Sequence, residues 1–270
     1  MRYRAAAVQM LASSDKQANL REAEYWVRQA AARGAEIVAL PEVFSYRGAE
    51  EETAAEPIPG PTTRWMSALA SELKIYFLAG SILEAVPDQA KVFNTSLLFD
   101  PDGTPLAQYR KIHLFDVQVG DDVRVFESET RMAGQEAVVA ETGYCPMGLT
   151  ICYDLRFPEL YRHLVERGAQ VIFVPAAFTA VTGKAHWEVL LRARAIENQA
   201  YMIAPDQFGK APHSIATHGH TMIVDPWGKV LAEASDGPGF AIADIDLDYL
   251  AKVRRELPAL SHRRPFQTNR

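Results

Sequence analysis

Cys152 lies in the run Gly-Leu-Thr-Ile-Cys-Tyr-Asp-Leu-Arg-Phe-Pro-Glu, residues 148–159, between an apolar stretch and a sharp polar break. The break reads as a strand end followed by a helix that opens at Pro158, where a missing N–H costs nothing. A thiol at such a turn is open to a substrate, and the first N–H groups of the helix favour its thiolate. A free cysteine is also, in most proteins, a small buried hydrophobe, and this stretch by itself leaves both readings standing. Glu42 follows the β-branched run 36–40, and Lys111 follows the run 106–110. Each sits just past the carboxyl end of an expected strand, where layered α/β folds collect their chemistry. Hydrolysis through a cysteine needs a thiolate, a group that shuttles a proton, and donors for the oxyanion. A thiol, a carboxylate and an ammonium at three strand ends have the types for this, although singly Glu42 reads as a solvated loop acid and Lys111 as a surface charge.

Other candidates carry less. His213, His218 and His220 fall in or beside a Gly-rich loop with no acidic or thiol ligand at a convincing spacing, so no metal site is expected. Cys145, next to Pro146, starts the same expected strand as Cys152 and reads as structural. Arg192, Arg194 and Glu197 form a charge network along one helix. Trp65, Trp187 and Trp227 read as packing residues, since large aromatics mainly supply buried area.

The elements that must position these residues alternate between strand and helix patterns. Strands are expected over 5–10, 36–40, 76–83, 92–99, 106–110, 171–174, 201–205, 220–224, 230–234 and 240–245, besides the one that leads to Cys152. Helices are expected over 16–33, 62–73, 159–167, 186–198 and 248–256. Asp100-Pro101-Asp102-Gly103 and Asp225-Pro226-Trp227-Gly228 close hairpins, the first of which delivers Lys111. Residues 112–135 read as a long irregular, acidic loop of the kind that is usually functional or disordered. The segment 33–44, Arg-Gly-Ala-Glu-Ile-Val-Ala-Leu-Pro-Glu-Val-Phe, recurs at 167–178 as Arg-Gly-Ala-Gln-Val-Ile-Phe-Val-Pro-Ala-Ala-Phe, with Ala176 in the place of Glu42. Two similar halves predict an α/β fold of two sheets packed face to face inside outer helices, a four-layer α-β-β-α sandwich with an internal pseudo-twofold repeat. No linker divides the chain, so one domain is expected over 1–270.

With 270 residues, 48% of them hydrophobic, the chain can bury a large core, and its net charge of −6 argues against nucleic-acid or anionic-membrane partners. Two cysteines are too few for a disulfide framework, the N-terminus reads as a strand rather than a signal peptide, and no run is long enough to span a membrane. A cytoplasmic protein with small-molecule partners is expected.

Glu42 in Leu-Pro-Glu-Val-Phe, Lys111 in Tyr-Arg-Lys-Ile-His-Leu-Phe-Asp and Cys152 in Ile-Cys-Tyr-Asp-Leu-Arg-Phe-Pro-Glu resemble the Glu-Lys-Cys triad of the nitrilase superfamily of carbon–nitrogen hydrolases. The likeness covers nearly the whole chain. Thr-Gly-Lys-Ala-His-Trp-Glu at 182–188, Leu-Arg-Ala-Arg-Ala-Ile-Glu-Asn-Gln at 191–199 and Val-Asp-Pro-Trp-Gly at 224–228 are similar to the Nit branch. The resemblance implies the same four-layer sandwich and a cysteine-thioester hydrolysis of a linear carboxamide, without a cofactor. It gives Cys152 the role of nucleophile, Glu42 that of base and acid, and Lys111 with the Tyr153 backbone N–H that of oxyanion donors. Glu127 would be the branch's second glutamate, holding Lys111. The amides implied are ω-amides of dicarboxylic or α-keto acids, or deaminated glutathione. Alternatives are nitrilase or N-carbamoyl amide hydrolysis on the same triad, or an idle interaction protein.

A substrate with a carboxylate remote from its amide would be received by Arg156, four residues past Cys152, because a guanidinium matches a carboxylate bidentately. Local pairing of Arg156 with Asp154 or Glu159 is the competing reading. Phe178 and Thr182, in the loop equivalent to that after Glu42, would supply an apolar wall and a hydroxyl. A tail with Leu257, Leu260 and Phe266 among His262, Arg263 and Arg264 suggests a homodimer or higher homo-oligomer.

Overall fold

The computed structural model describes residues 1–120, 123–211 and 214–264. In chain order the first half contains β1 (Arg2–Gln9), α1 (Lys16–Ala32), β2 (Ile37–Ala39), α2 (Pro61–Leu73), β3 (Tyr76–Leu78), β4 (Ile82–Glu84), β5 (Val92–Phe99), β6 (Pro105–Arg110), β7 (Asp116–Val119), β8 (Val123–Phe126) and β9 (Arg131–Met132). The second contains β10 (Val138–Ala140), β11 (Met147–Leu149), α3 (Pro158–Glu166), β12 (Val171–Phe173), α4 (Ala180–Asn198), β13 (Tyr201–Ala204), β14 (Phe208–Gly209), β15 (Thr217–His218), β16 (Met222–Val224), β17 (Val230–Glu233), β18 (Gly239–Asp246) and α5 (Leu247–Glu256).

Two large sheets repeat one plan. The first runs β18-β1-β2-β3-β5, with β4, β6 and β9 also paired to β5, and the second runs β10-β11-β12-β13-β16-β17. β1, β2 and β3 are parallel, as are β11, β12 and β13. Each trio continues into an antiparallel hairpin, β5/β6 or β16/β17, and has an antiparallel strand on its other side, β18 or β10. Register carries the repeat to single residues. Ala5 pairs with Ile37 and Ala7 with Ala39, as Met147 pairs with Val171 and Leu149 with Phe173.

Side-chain alternation stacks the layers. Along β1, Tyr3, Ala5 and Ala7 pack in the cluster that holds Met147, Leu149 and Val171 of the other sheet, whereas Ala6 and Val8 pack with Ala23 and Val27 of α1 and Met66 and Leu69 of α2. Both faces of β1 are therefore covered, which is why it reads in the sequence as an unbroken apolar run. Leu160, Leu164, Trp187 and Leu191 bring α3 and α4 onto the second sheet. The order is α-β-β-α. In α1 the Asp15 carboxylate caps the Ala18 N–H at 2.9 Å, and Asn19, Ala23, Val27 and Ala30 form the buried stripe. Burial of Val27 alone is worth about 1.5–3 kcal/mol.

The structure departs from the sequence reading in several places. The strand expected over 76–83 breaks at Gly80, whose φ is +50° and where a Cβ would lie 2.0 Å from the Pro41 carbonyl oxygen. The region 112–135 is not wholly irregular: β7 and β8 form a hairpin and β9 pairs with β5. Its Val117, Val119, Val123 and Val125 carry the strand pattern, masked by the acidic residues around them. α4 begins at Ala180 rather than 186, so Thr182 is helical. Gly183 belongs in that helix because the His218 ring fills the space of a side chain, 2.3 Å from an ideal Cβ. Leu260 packs against the protein's own core, so the tail is less free than its composition suggests, while Phe266 and Arg270 lie outside the described residues. Trp227 is no packing residue: it is 59% exposed. Among the described residues no helix is long and apolar enough to cross a membrane.

Candidate active site

Glu42 stands at the carboxyl end of β2, on backbone held from both halves of the fold. Its N–H donates to the Ala176 carbonyl at 3.3 Å, and its own carbonyl accepts from the Gln207 side chain at 3.0 Å. The next residue, Val43, has φ +49°, a strained conformation for a β-branched side chain, and is held there by its N–H donating to Ser81 Oγ at 2.9 Å. The carboxylate is gripped on both oxygens. Oε1 accepts from Lys111 Nζ at 2.9 Å and from Asn94 Nδ2 at 2.8 Å, and Oε2 accepts from the Ala177 N–H at 2.9 Å.

Lys111 follows β6, its backbone N–H donating to the Asn94 carbonyl at 2.9 Å. It is 1% exposed, and its ammonium lies between two carboxylates, 2.9 Å from Glu42 Oε1 and 2.9 Å from Glu127 Oε2. Glu127, in the one-turn Glu127–Glu129 segment, also accepts the Phe115 N–H at 2.8 Å and pairs with Arg131, which in turn meets Glu51 at 2.5 Å. The charges therefore alternate along a chain that runs from the buried Glu42 out to the half-buried Glu51.

Cys152 comes three residues after β11 ends, as the first residue of a 3-10 segment, Cys152–Arg156. Its φ of +45° is a strained, left-handed conformation that turns the thiol away from the strand direction. The Cys152 N–H donates to the Pro175 carbonyl at 2.9 Å. The Tyr153 N–H is in the first turn of the segment and so has no acceptor within it. Asp154, fully buried, locks the turn: Oδ2 accepts the Ile151 N–H at 2.8 Å and the Tyr109 hydroxyl at 2.6 Å, and Oδ1 lies 2.7 Å from His113 Nδ1. Tyr109 and His113 flank Lys111 in sequence, so one carboxylate fixes the Cys152 turn to the strand end that carries the ammonium. On the other side Arg194 Nε donates to the Leu155 carbonyl at 3.0 Å and Arg194 pairs with Glu197 at 2.9 Å.

Burial and charge act against each other here. Burial pushes the Glu42 carboxyl up, but the Lys111 charge and hydrogen bond, with smaller help from Arg131 and the Cys152 thiol, bring it down to about 2. Lys111 feels the same burial, which lowers it, and the carboxylates of Glu127 and Glu42 raise it above its ordinary value. Burial and then the Glu42 charge push the Cys152 thiol well above its ordinary range, only partly offset by Lys111. The resting site thus holds a carboxylate, an ammonium and a neutral thiol.

These groups floor a cavity of about 320 Å³ whose walls include Arg47, Arg124, Tyr153, Arg156, Phe178 and Thr182. Arg156 pairs with neither Asp154 nor Glu159: Nη1 lies 3.2 Å from His186 Nδ1, and the guanidinium sits 5.1 Å from the Phe178 ring centroid. Thr182 Oγ1 is 2.7 Å from Thr179 Oγ1, at the start of α4. His218 and His220 stack outside the cavity, His220 meeting Glu233 at 2.5 Å, and burial then His220 push His218 down to about 4. His213 lies outside the described residues. Among those described, no cluster of three or more ligating side chains occurs. Sequence reading missed Asn94, Asp154 and Gln207, whose polar side chains sit in or beside apolar runs that otherwise read as plain strand.

The family model described as carbon-nitrogen hydrolase matches residues 4–255. A deaminated glutathione amidase of Synechocystis sp. is 48% identical over 97% of this chain and 98% of its own. An omega-amidase of Homo sapiens is 42% identical over 97% and 95%. Among solved structures, a Saccharomyces cerevisiae protein described as a member of branch 10 of the nitrilase superfamily superposes with a TM-score of 0.87 at 34% identity, covering 95% of this chain and 94% of that one.

Proposed function

Because the chain belongs to the carbon-nitrogen hydrolase family and is an enzyme of that class, we propose that it cleaves a linear carboxamide to a carboxylic acid and ammonia with Cys152 as nucleophile. The observation that carries this reading is the Glu42, Lys111 and Cys152 side chains gathered at the floor of one cavity, with Lys111 and Glu42 paired at 2.9 Å. Glu42 takes the thiol proton as sulfur attacks the amide carbon. The oxyanion is met by Lys111 and the Tyr153 N–H, a fixed charge and dipole that need no reorganisation. Protonated Glu42 then gives its proton to the departing nitrogen, leaving a thioester. Water, deprotonated by Glu42, releases the acid and restores the thiol. Glu127 keeps Lys111 charged and oriented, and no cofactor enters.

The substrate is an ω-amide of a dicarboxylic or α-keto acid, or deaminated glutathione, and Arg156 receives its remote carboxylate while Phe178 and Thr182 complete the wall. The relatives' names and a guanidinium that faces the cavity beside an imidazole rather than an acid support this. We further propose one cytoplasmic domain over 1–270 that assembles as a homo-oligomer. Support for assembly comes less from the tail than from the outer side of α4, where Val189, Ile196 and neighbouring Trp227 are 66%, 48% and 59% exposed.

An ammonia-release panel of α-keto acid ω-amides, deaminated glutathione, simple aliphatic amides and nitriles tests the reading. The two acidic classes should turn over fastest, and Cys152→Ser or Glu42→Gln should abolish turnover in folded protein. Substantial activity in Cys152→Ala would sink the mechanism. Arg156→Met should lose about 2–4 kcal/mol in kcat/KM for carboxylate-bearing amides and almost nothing for neutral amides of equal length. An equal loss for both classes would remove the carboxylate assignment.

A further inference from the structure

Asp206 is a fully buried carboxyl that the proposed mechanism does not use. Its Oδ1 accepts the Phe178 N–H at 2.9 Å, while its Oδ2, also buried, has no partner among the described residues. The segment around it grips the backbone opposite Glu42. The Ala176 N–H donates to the Pro205 carbonyl at 2.8 Å, and the Gln207 N–H donates to the Ala176 carbonyl at 3.0 Å. The neighbouring Ala177 N–H is the one that holds Glu42 Oε2. We propose that Asp206 is a positioning residue of the active site, whose carboxyl group fixes the Phe178 N–H and so aims the Ala177 N–H at Glu42.

The repeat supports this assignment. Leu78 pairs with Ala39 as Ile203 pairs with Phe173, so Ser81 and Asp206, each three residues further on, occupy equivalent places. Ser81 accepts the N–H of Val43, one residue past Glu42; Asp206 accepts that of Phe178, two past Ala176. Both halves thus anchor the strand-end loop by a side-chain acceptor, and in the first half a neutral hydroxyl suffices. A carboxylate at 206 would be buried with one oxygen unmatched, facing Glu42, Cys152 and, as its cationic neighbour, Arg47. Burial and the Glu42 charge push this carboxyl well above its ordinary range. It works as the acid, not the anion.

The assignment rests on the amidase reading for its kinetic test, so a second readout stands apart from turnover. Infrared spectra of the wild-type protein at pH 7 should contain a protonated-carboxylic-acid carbonyl band that shifts in deuterium oxide and is missing from Asp206→Asn. Asp206→Ala should lower kcat about tenfold or more with little change in KM, the scale of a small misplacement of a catalytic group. Asp206→Asn, which keeps a neutral acceptor, should restore kcat to within about threefold of wild type. Iodoacetamide alkylation of Cys152 at fixed pH should be faster in Asp206→Ala, where a displaced Glu42 no longer presses its charge on the thiol, and return to the wild-type rate in Asp206→Asn. If Asp206→Ala does not fold, Asp206→Asn decides: near-native alkylation with the band lost supports the proposal. A tenfold fall in Asp206→Asn, no acid band in wild type, or native rates in Asp206→Ala would overturn it. Wild-type protein inert toward every amide, with the band and the alkylation order intact, would instead retire the amidase reading and leave Asp206 as assigned.

Discussion

Cys152 and Glu42 form an acid–base pair whose resting protonation runs opposite to that of an activated thiolate. The carboxylate, held down to about 2, is far too weak a base to ionise a thiol that burial and its own charge have pushed up. In the proposed mechanism proton transfer therefore accompanies attack, at the moment when Lys111 would meet the new oxyanion instead of serving the carboxylates alone. The pH dependence follows with its sign. Glu42 is depressed from 4.5, so what its ionised form adds to stability is present above 4.5 and lost as pH falls towards 2. Alkylation of Cys152 by iodoacetamide should be slow at pH 7 and climb through pH 9 without a plateau, the thiol's ordinary value being 9.0. A plateau below neutrality would reveal a resident thiolate and refute this description of the site. At this scale much was legible. Glu42, Lys111 and Cys152 stand where apolar runs stop, and that break is a sequence feature. Asn94, Asp154, Asp206 and Gln207 were hidden, because a polar residue that binds a backbone group from another element leaves no local pattern.

The strand ends depend on backbone conformations that side chains would spoil. Gly80 interrupts what the apolar pattern shows as one strand, and the break lets the chain pass against the Pro41 carbonyl just before Glu42. Gly80→Ala should cost about 1–3 kcal/mol, read as a lower urea midpoint, and should reduce kcat because the displaced atom belongs to the residue before the base. A native midpoint and native kcat together would show that the backbone there yields freely. Element types were readable from period and punctuation, as in α1 with its Asp15 cap or the Asp-Pro turns of the hairpins. Boundaries failed where tertiary packing overrode propensity: Gly183 sits inside α4 because of His218, not because of its neighbours in sequence.

At the scale of the molecule, the exposed α4 side predicts how copies meet. Light scattering at micromolar concentration should give at least twice the 30.0 kDa of the chain, and Val189→Glu with Ile196→Lys should lower it to the mass of one chain while leaving the cavity intact. A monodisperse single chain for the unaltered protein would contradict the proposal. The two-sheet plan itself was legible, since the segment 33–44 recurs at 167–178, but which edge strands close each sheet was not. β18 reaches β1 from the far end of the sequence, and no local signal encodes that pairing. The repeat also has a consequence for where chemistry can occur. The same register that matches Leu149 with Ala7 sets Cys152 against Met10, three residues beyond each, and Glu42 against Ala176. The operation that exchanges the halves therefore carries the reactive pair onto a thioether and a methyl group, and the chain at 206 and 207 bridges Ala176 and Met10. At the mirror position a second buried carboxylate beside Glu42, with no ammonium of its own, would leave only one of the two ionised. This protein keeps one centre and spends the mirror position as its brace, so its catalytic asymmetry is written in two side chains rather than in its architecture.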